Sequence, residues 1–426
     1  MLDVKFIREN KALITKNNRA RQVEVDLDLL LQLDSERQEL QHKIEELRAQ
    51  RNRGSKSKPS PDEIVAMREV GEQIMALEPL AKEKEMAFFE LAYKLPNLSH
   101  EDAPVGETDE GNKIMYEHGE KTIFNFKPKE HFEIGAERDL IDLPRATAVS
   151  GTRFAYLKGG LVMLEFALVQ HVLRTVTNQQ ILQQIIADKN LSILPTPFVP
   201  VVPPVFIKPE VMAKMGRLEP KEERYYIPSD DLYLIGSAEH TLGPMHMDST
   251  FDEAELPVRY LGFSTAFRRE AGSYGKDTKG IFRVHQFDKL EMESFCLSEN
   301  AEQEQELFIG VQEYLMRSLG IPYRLVLKCT GDMGLPDYRE YDVEAWLPGQ
   351  GAYRETHTAD LMTDYQARRL NIRVKRQKGT EFAHMNDATA LAIGRTLIAI
   401  MENFQQADGT IVVPEVLHPF TGTTFI

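Results

Sequence analysis

The chain has 426 residues, 42% of them hydrophobic, and a formal net charge of −15 at pH 7. That length predicts two or three domains with a large core. The acidic balance excludes a protein coated in cations, yet it leaves room for a local basic patch that binds phosphate.

Chain order begins with two heptad seams. Leu30, Leu33, Leu40, Ile44 and Leu47 recur at 3-4 spacing, with Arg37 and Arg51 completing the pattern. Gly, Ser and Pro at 53–63 stop this helix, and Ser60-Pro61-Asp62-Glu63 supplies the start signals of a second. Met67, Val70, Ile74, Leu77, Ala81, Phe88, Leu91 and Leu95 form its seam, interrupted by Lys84, and Pro79 is expected to kink it or drop a hydrogen bond. The result is an antiparallel helical arm over about residues 27–95. Its tip holds Lys43, Arg48, Arg51, Arg53, Lys56 and Lys58 against Glu45 and Glu46. This local cation excess suits a duplex RNA backbone, and the lack of interleaved aromatics argues against stacking on unpaired bases. A solvated coiled-coil surface is the plainer reading of the same charges.

A linker near residue 100 leads into mixed α and β sequence, which divides the chain into domains 1–100 and 101–426. Residues 161–188 read as one long helix. The proline-rich run 194–207 reads as an edge strand or extended crossing and a place for a subunit contact. Strands are indicated at 231–236, 258–267, 281–293, 322–328 and 341–347, with a closing helix at about 388–404. Hairpin connections predict an α+β fold on an antiparallel sheet flanked by helices. The stretch 267–291 is the most informative: two strands joined by a loop at 272–280, carrying Arg268, Arg269, Lys276, Lys279 and Arg283 among Glu270, Asp288 and Glu291. So much charge suits a site that grips a polyphosphate and an ammonium group together.

Cys296 and Cys329 are the two cysteines, without CxxC or repeated Cys/His spacing. That predicts no disulfide framework, no zinc site and a reducing, cytoplasmic setting. No stretch approaches 18 apolar residues and the charged N-terminus has no apolar core, so neither export nor a membrane span is expected. Neither GxxxxGK[ST] nor a strand-borne GxGxxG occurs. A nucleotide here must be held by arginines, and Arg268 and Arg395 are the evident pair.

At these residues the chain resembles the class II aminoacyl-tRNA synthetases in their seryl form. Phe267-Arg268-Arg269-Glu270-Ala271-Gly272-Ser273 through Arg283-Val284-His285-Gln286-Phe287 is similar to motif 2, and Ala392-Ile393-Gly394-Arg395-Thr396-Leu397-Ile398-Ala399 to motif 3. The crossing near Pro204 matches motif 1 loosely. Thr330-Gly331-Asp332-Met333-Gly334 and Asp364-Tyr365-Gln366-Ala367-Arg368-Arg369 are similar too. The resemblance implies the class II fold, ATP-dependent activation of L-serine to seryl-adenylate, and transfer of the seryl group to tRNA(Ser), with tRNA(Sec) a second candidate. It implies a homodimer with no membrane role. Arg268 would bridge the α-phosphate and the serine carboxylate, and Arg395 would hold the γ-phosphate. Phe287 would stack on adenine, with the backbone at Val284 and the side chain of Glu270 beside it. Glu355 and Thr358 would bind Mg²⁺. Arg269, Thr356 and His357 complete the ATP set, His357 as a hydrogen-bonding or packing residue rather than a base. Ser237, Ala238, Glu239, Glu291 and Thr389 would hold serine together with Arg268, and Arg48, Arg51, Arg53, Lys56 and Lys58 would meet tRNA.

Two stretches depart from that pattern. Thr356-His357-Thr358-Ala359-Asp360-Leu361 stands where Ser, Cys and Asn are usual, and Asp387-Ala388-Thr389-Ala390 where Asn-Gly-Ser-Gly is usual. Both alter the expected size and charge of the amino-acid pocket. The rival readings are a paralogue that activates another small amino acid or loads a non-tRNA acceptor, and a non-catalytic tRNA-binding descendant. The long arm weighs against the former, and the retained Arg268, Glu270, Glu355 and Arg395 against the latter.

Overall fold

Heptad spacing shapes the first unit, Met1–Leu98, of a computed structural model that describes residues 1–54, 61–271 and 279–426, the side chains of 53 and 54 excepted. After two short helices come α1 (Leu27–Gly54) and α2 (Pro61–Ala92). Leu30, Leu33 and Ile44 of α1 and Val70, Ile74 and Phe88 of α2 are buried along the seam. Lys84, the polar interruption, meets Glu36 of α1 at 2.7 Å, and Arg37 lies 4.3 Å over the Phe88 ring. Nearer the tip Arg48 pairs with Glu78 at 2.8 Å. Contacts that descend one helix as they climb the other define an antiparallel pair. Pro61 opens α2 with Asp62 and Glu63 in its first turn, and the helix runs on through Pro79 instead of ending there. Asp34, fully buried, accepts from Arg8, Arg37 and Gln38 and ties the short N-terminal helices to α1.

In the second unit, Ser99–Ile426, the strands of the main sheet are β1 (Lys113–His118), β2 (Val199–Val201), β3 (Val258–Phe267), β4 (Gln286–Cys296), β5 (Tyr323–Leu327), β6 (Arg339–Leu347), β7 (Ala352–Thr363) and β8 (His384–Ala392). They form one 8-stranded sheet in the order β1-β5-β6-β7-β8-β4-β3-β2. Neighbours are antiparallel except β2 beside β3. The helices that matter here are α3 (Gly160–Val176), α4 (Gln179–Asp188), α5 (Pro209–Met215), α6 (Ala301–Leu319) and α7 (Ile393–Asn403). Leu290, Met292, Ala359, Ala388 and Ala390 share the main core with apolar residues of α3, α6 and α7. Gln305 and Gln312 of α6 donate to strand carbonyls at Arg339, Ala359, Thr358 and Thr389, which clamps the helix to the central strands. Strand alternation then turns Lys289, Glu291 and Glu293 to the opposite face.

Three expectations need correction. The helix over 161–188 is two helices bent by 74°, because the Asn178 side chain accepts from Gln180 and Ile181 and caps α4 afresh. Residues 388–392 end strand β8, whose Thr389 pairs with Glu291, so the closing helix begins at Ile393. The 267–291 hairpin has a longer connection than expected: β3 stops at Phe267 and β4 starts at Gln286 opposite it. Among the described residues no single helix is long and apolar enough to cross a membrane; α3 with α4 would be, but Leu161, Leu164, Leu168 and Val172 are buried in the core.

Candidate active site

The open face of the sheet carries two adjoining cavities. The first, about 110 Å³, is lined by Arg268, Glu270, Phe282, Arg283, Val284, Phe287, Lys289, Glu355, Thr356, Thr358, Thr389 and Arg395, among others. The second, about 360 Å³, is lined by Arg217, Arg224, Ser237, Glu239, Glu291, Asp360 and Asp387, and shares Arg268, Glu270, Arg283, Lys289, Thr358 and Thr389 with the first. Arg268 therefore stands at the junction. Its Nε donates to the Gly236 carbonyl at 3.1 Å, and its backbone N–H bonds the His285 carbonyl across the base of the 268–285 connection. Those bonds fix the guanidinium just past the end of β3.

Arg395 enters from the first turn of α7, where its Nη1 donates to the Glu355 backbone carbonyl at 3.0 Å and to Glu355 Oε1 at 2.7 Å. Phe282 lies under two guanidinia, Arg354 at 4.1 Å and Arg395 at 4.7 Å. Burial, and after it the repulsion of Arg395, pushes the Arg268 pKa down. Two like charges facing one cavity favour an anion between them. Glu355 feels the opposite field: against the upward push of burial, Arg395 and Lys328 hold its carboxyl down at about 2. Phe287 lines the first cavity with Arg268 5.4 Å over its ring. Glu270, in left-handed backbone at φ 52°, accepts from Arg283 at 3.1 Å.

The second cavity is acidic and tightly bonded. Ser237 Oγ accepts from the Glu239 N–H at 3.2 Å, while Glu239 Oε1 accepts from Arg217 at 2.8 Å and from Gln366 at 3.1 Å. Burial pushes Glu239 up, yet Arg217 and its neighbours hold it at about 2. Lys289 Nζ lies 2.5 Å from Glu291 Oε2, and burial followed by Arg268 lowers that ammonium to about 7. Across the floor, Glu340, Asp360, Asp387 and Glu293 stand directly opposite one another on β6, β7, β8 and β4. Burial and mutual repulsion raise Asp360, Asp387 and Glu293 above the ordinary carboxylate range.

Several sequence-assigned residues fall outside the cavity linings. Arg269 is exposed with its guanidinium 5.9 Å over the Tyr225 ring. His357 is buried against the Thr356 hydroxyl at 2.8 Å, and burial drops its pKa to about 3, which suits the packing role. Ala238 is fully buried in a second core cluster beside Leu242. On the arm, Arg48 and Arg51 are exposed; the Arg53 side chain, Lys56 and Lys58 lie outside the described residues, as does Lys276. Among the described residues one trio of carboxylates, Asp337, Glu340 and Asp360, has ligand atoms within 4.8 Å, and it excludes Glu355. Arg217 and Lys328 already neutralise that trio. Sequence reading missed Arg217, Phe282 and Lys289 as site residues. Lys289 is visible as the lone cation alternating with Glu291 on one strand face; Arg217 gives no local signal.

Comparison with known proteins finds matches that span the whole chain. Residues 1–99 match the family model "Seryl-tRNA synthetase N-terminal domain", and residues 224–404 match "tRNA synthetase class II core domain (G, H, P, S and T)". A serine–tRNA ligase of Dictyoglomus turgidum is 38% identical, the alignment covering 100% of this chain and 99% of the relative. The crystal structure of seryl-tRNA synthetase from Pyrococcus horikoshii complexed with ATP superposes with a TM-score of 0.84 at 34% identity, covering 100% of this chain and 99% of that one. A cytoplasmic serine–tRNA ligase from Naegleria fowleri in complex with AMP gives 0.81 at 31% identity, covering 100% and 98%.

Proposed function

We propose a division of labour for the two cavities on one premise: the chain belongs to the seryl-tRNA synthetase family of class II, and its reaction is ATP-dependent activation of serine followed by charging of tRNA. Arg268 takes the central role because it lines both cavities, while Arg283 and Lys289, the other cations that do, are paired with Glu270 and Glu291. That single observation carries the assignment, since adenylate formation needs the α-phosphate and the amino-acid carboxylate on one group. Arg268 bridges the two and stabilises the charge that builds as the carboxylate attacks phosphorus and pyrophosphate leaves. Arg395 holds the γ-phosphate from the far end. Phe287 stacks on adenine, beside the Val284 backbone and Glu270. Glu239, Ser237, Glu291 and Thr389 receive the ammonium and hydroxyl of serine, since buried substrate donors need fixed acceptors. Acceleration then comes from orientation and fixed charge, with no side chain acting as general base.

Glu355 and Thr358 would hold Mg²⁺. A carboxylate kept ionised by Arg395 and a hydroxyl in the same lining are the hard oxygen donors that cation prefers. Once bound, the ion would neutralise charge on the phosphates. For RNA, Arg48 and Arg51 with Arg53, Lys56 and Lys58 at the arm tip contact the tRNA(Ser) backbone. The edge strand β2, with Val199 53% exposed, and the chain beyond it, with Val202 81% and Phe206 45% exposed, support a homodimer contact at the proline-rich crossing. Both free, buried cysteines suit a reducing cytoplasm.

The test is amino-acid-dependent pyrophosphate exchange. Serine should support exchange while alanine and threonine do so far more weakly; exchange with either of these but not serine would overturn the serine assignment. Deleting residues 28–94 should abolish tRNA charging and leave exchange largely intact. Loss of both together would mean that the arm does more than hold RNA.

A further inference from the structure

Arg217 is a half-buried cation of the amino-acid cavity to which no step has been given. It follows Gly216, the left-handed residue at φ 74° that ends α5. Its backbone N–H donates to the Met212 carbonyl at 3.3 Å, and its own carbonyl accepts from Arg224 Nε at 3.0 Å. The side chain, 17% exposed, then reaches four carboxyls that are each less than a tenth exposed. Nε donates to Glu239 Oε1 at 2.8 Å. Nη2 lies 3.4 Å from Asp337 Oδ1, 3.5 Å from Asp360 Oδ2 and 3.5 Å from Asp387 Oδ1.

Those carboxyls come from different parts of the chain. Asp360 and Asp387 face each other across β7 and β8, Asp337 precedes β6, and Glu239 opens the short helix Glu239–Leu242. Strand pairing sets Asp360 against Asp387, one guanidinium fork contacts all four carboxyls, and its planar donors make that geometry specific to arginine. Asp360 Oδ1 has no hydrogen-bond partner, and Asp387 Oδ1 has none beyond its 3.5 Å ion contact with Arg217, although both residues line the cavity. An acid row this short of donors would compete for the substrate ammonium at the wrong place unless something neutralised it.

We infer that Arg217 is a positioning residue for amino-acid binding: through Nε it holds Glu239 aimed at the substrate ammonium, and through Nη2 it neutralises the Asp337–Asp360–Asp387 carboxyls behind it. The inference rests on the assignment of Glu239 to the ammonium under the proposed function. It explains how this chain keeps Asp387 and Asp360 in its floor, where the resembled pattern has uncharged residues. Arg217 touches neither ATP nor the reacting atoms; it acts through Glu239.

The experiment measures serine- and ATP-dependence of pyrophosphate exchange in Arg217→Gln, Arg217→Lys and the triple variant Arg217→Gln/Asp360→Asn/Asp387→Asn. Arg217→Gln should raise the serine KM tenfold or more while the ATP KM stays within twofold. Arg217→Lys, which keeps the charge and loses the fork, should raise the serine KM at least threefold. The triple variant should recover at least threefold of what Arg217→Gln loses, because the acids left without a partner are gone. An unchanged serine KM in Arg217→Lys overturns the inference even if Arg217→Gln does not fold. Equal rises in both KM values without recovery in the triple variant overturn it as well, since a merely structural arginine behaves that way. Absence of serine-dependent exchange in the unaltered chain would instead bring down the proposed function, and this inference with it.

Discussion

At the scale of single residues, Arg395 and Thr389 test the proposed division of labour between the two cavities. Arg395 meets Glu355 and the Phe282 ring but does not line the second cavity. Arg395→Ala should cost about 10²–10³ in kcat/KM for ATP, the usual loss on removing one preorganised donor to a developing charge, with the serine KM within threefold. Titrating ATP and serine separately in the exchange assay checks this; a matched rise in the serine KM would mean that Arg395 serves both sites. Thr389 lines both cavities, 5% exposed, opposite Glu291. Thr389→Val keeps the shape and removes one hydroxyl, so the serine KM should rise roughly threefold to tenfold, the worth of one hydrogen bond. The pH behaviour of Glu355 follows from its carboxyl being held at about 2 against an ordinary 4.5. A depressed acid contributes stability above its unfolded value and loses it as pH falls. The Glu355–Arg395 pair therefore stabilises the fold above about pH 4.5 and fades toward pH 2. Arg268 and Glu291 were legible in the sequence because each sits in a charged local pattern, and Glu239 only through the family resemblance. Arg217 was not, because its four partners lie 22 to 170 positions away and meet only in the folded chain.

At the scale of elements, the sheet was legible where strands alternate and obscure where they are buried on both sides. β3 was read over its true span, 258–267. β7 and most of β8 gave no period-two signal, since both faces of Leu361, Asp387, Thr389 and their neighbours are enclosed. The break at Thr177-Asn178 was missed because the apolar spacing continues across it; only the capping asparagine marks the new start. One buried ion pair then decides how the elements lock. Arg259 on β3 and Glu304 on α6 have no exposed side-chain surface, and they bond bidentately at 2.8 and 2.6 Å. Arg259 Nη1 also donates to the carbonyls of Leu194 and Thr196 in the proline-rich crossing at 2.9 and 2.7 Å. Glu304→Gln should destabilise the second unit by about 3–5 kcal/mol, because it strands a buried guanidinium. The double variant Arg259→Met/Glu304→Met should cost less than either change that leaves one charge unpaired. Urea unfolding of the unaltered protein, Arg259→Met, Glu304→Met and the double variant measures this directly. Additive losses would show that the two side chains do not act as a pair.

At the scale of the whole molecule, the proposed function gives RNA holding to the arm and chemistry to the sheet, and a homodimer would let that division run between subunits. The chain offers separate handles on each half. A protein lacking residues 28–94 keeps Arg268, Glu239 and Arg395, and an Arg268→Ala protein keeps the arm. Neither alone should charge tRNA. When the two are unfolded together and allowed to reassociate, about half the dimers are mixed by chance. If the arm of one subunit serves the active site of the other, each mixed dimer holds one working pair, and charging should return to about a quarter of the unaltered level. If each arm serves its own active site, or if the chain acts as a monomer, no combination restores charging. Exchange activity provides the control, because the arm-deleted subunit should show it in every mixture. Charging that stays at zero while exchange persists would remove the cross-subunit assignment and leave the adenylation site as assigned.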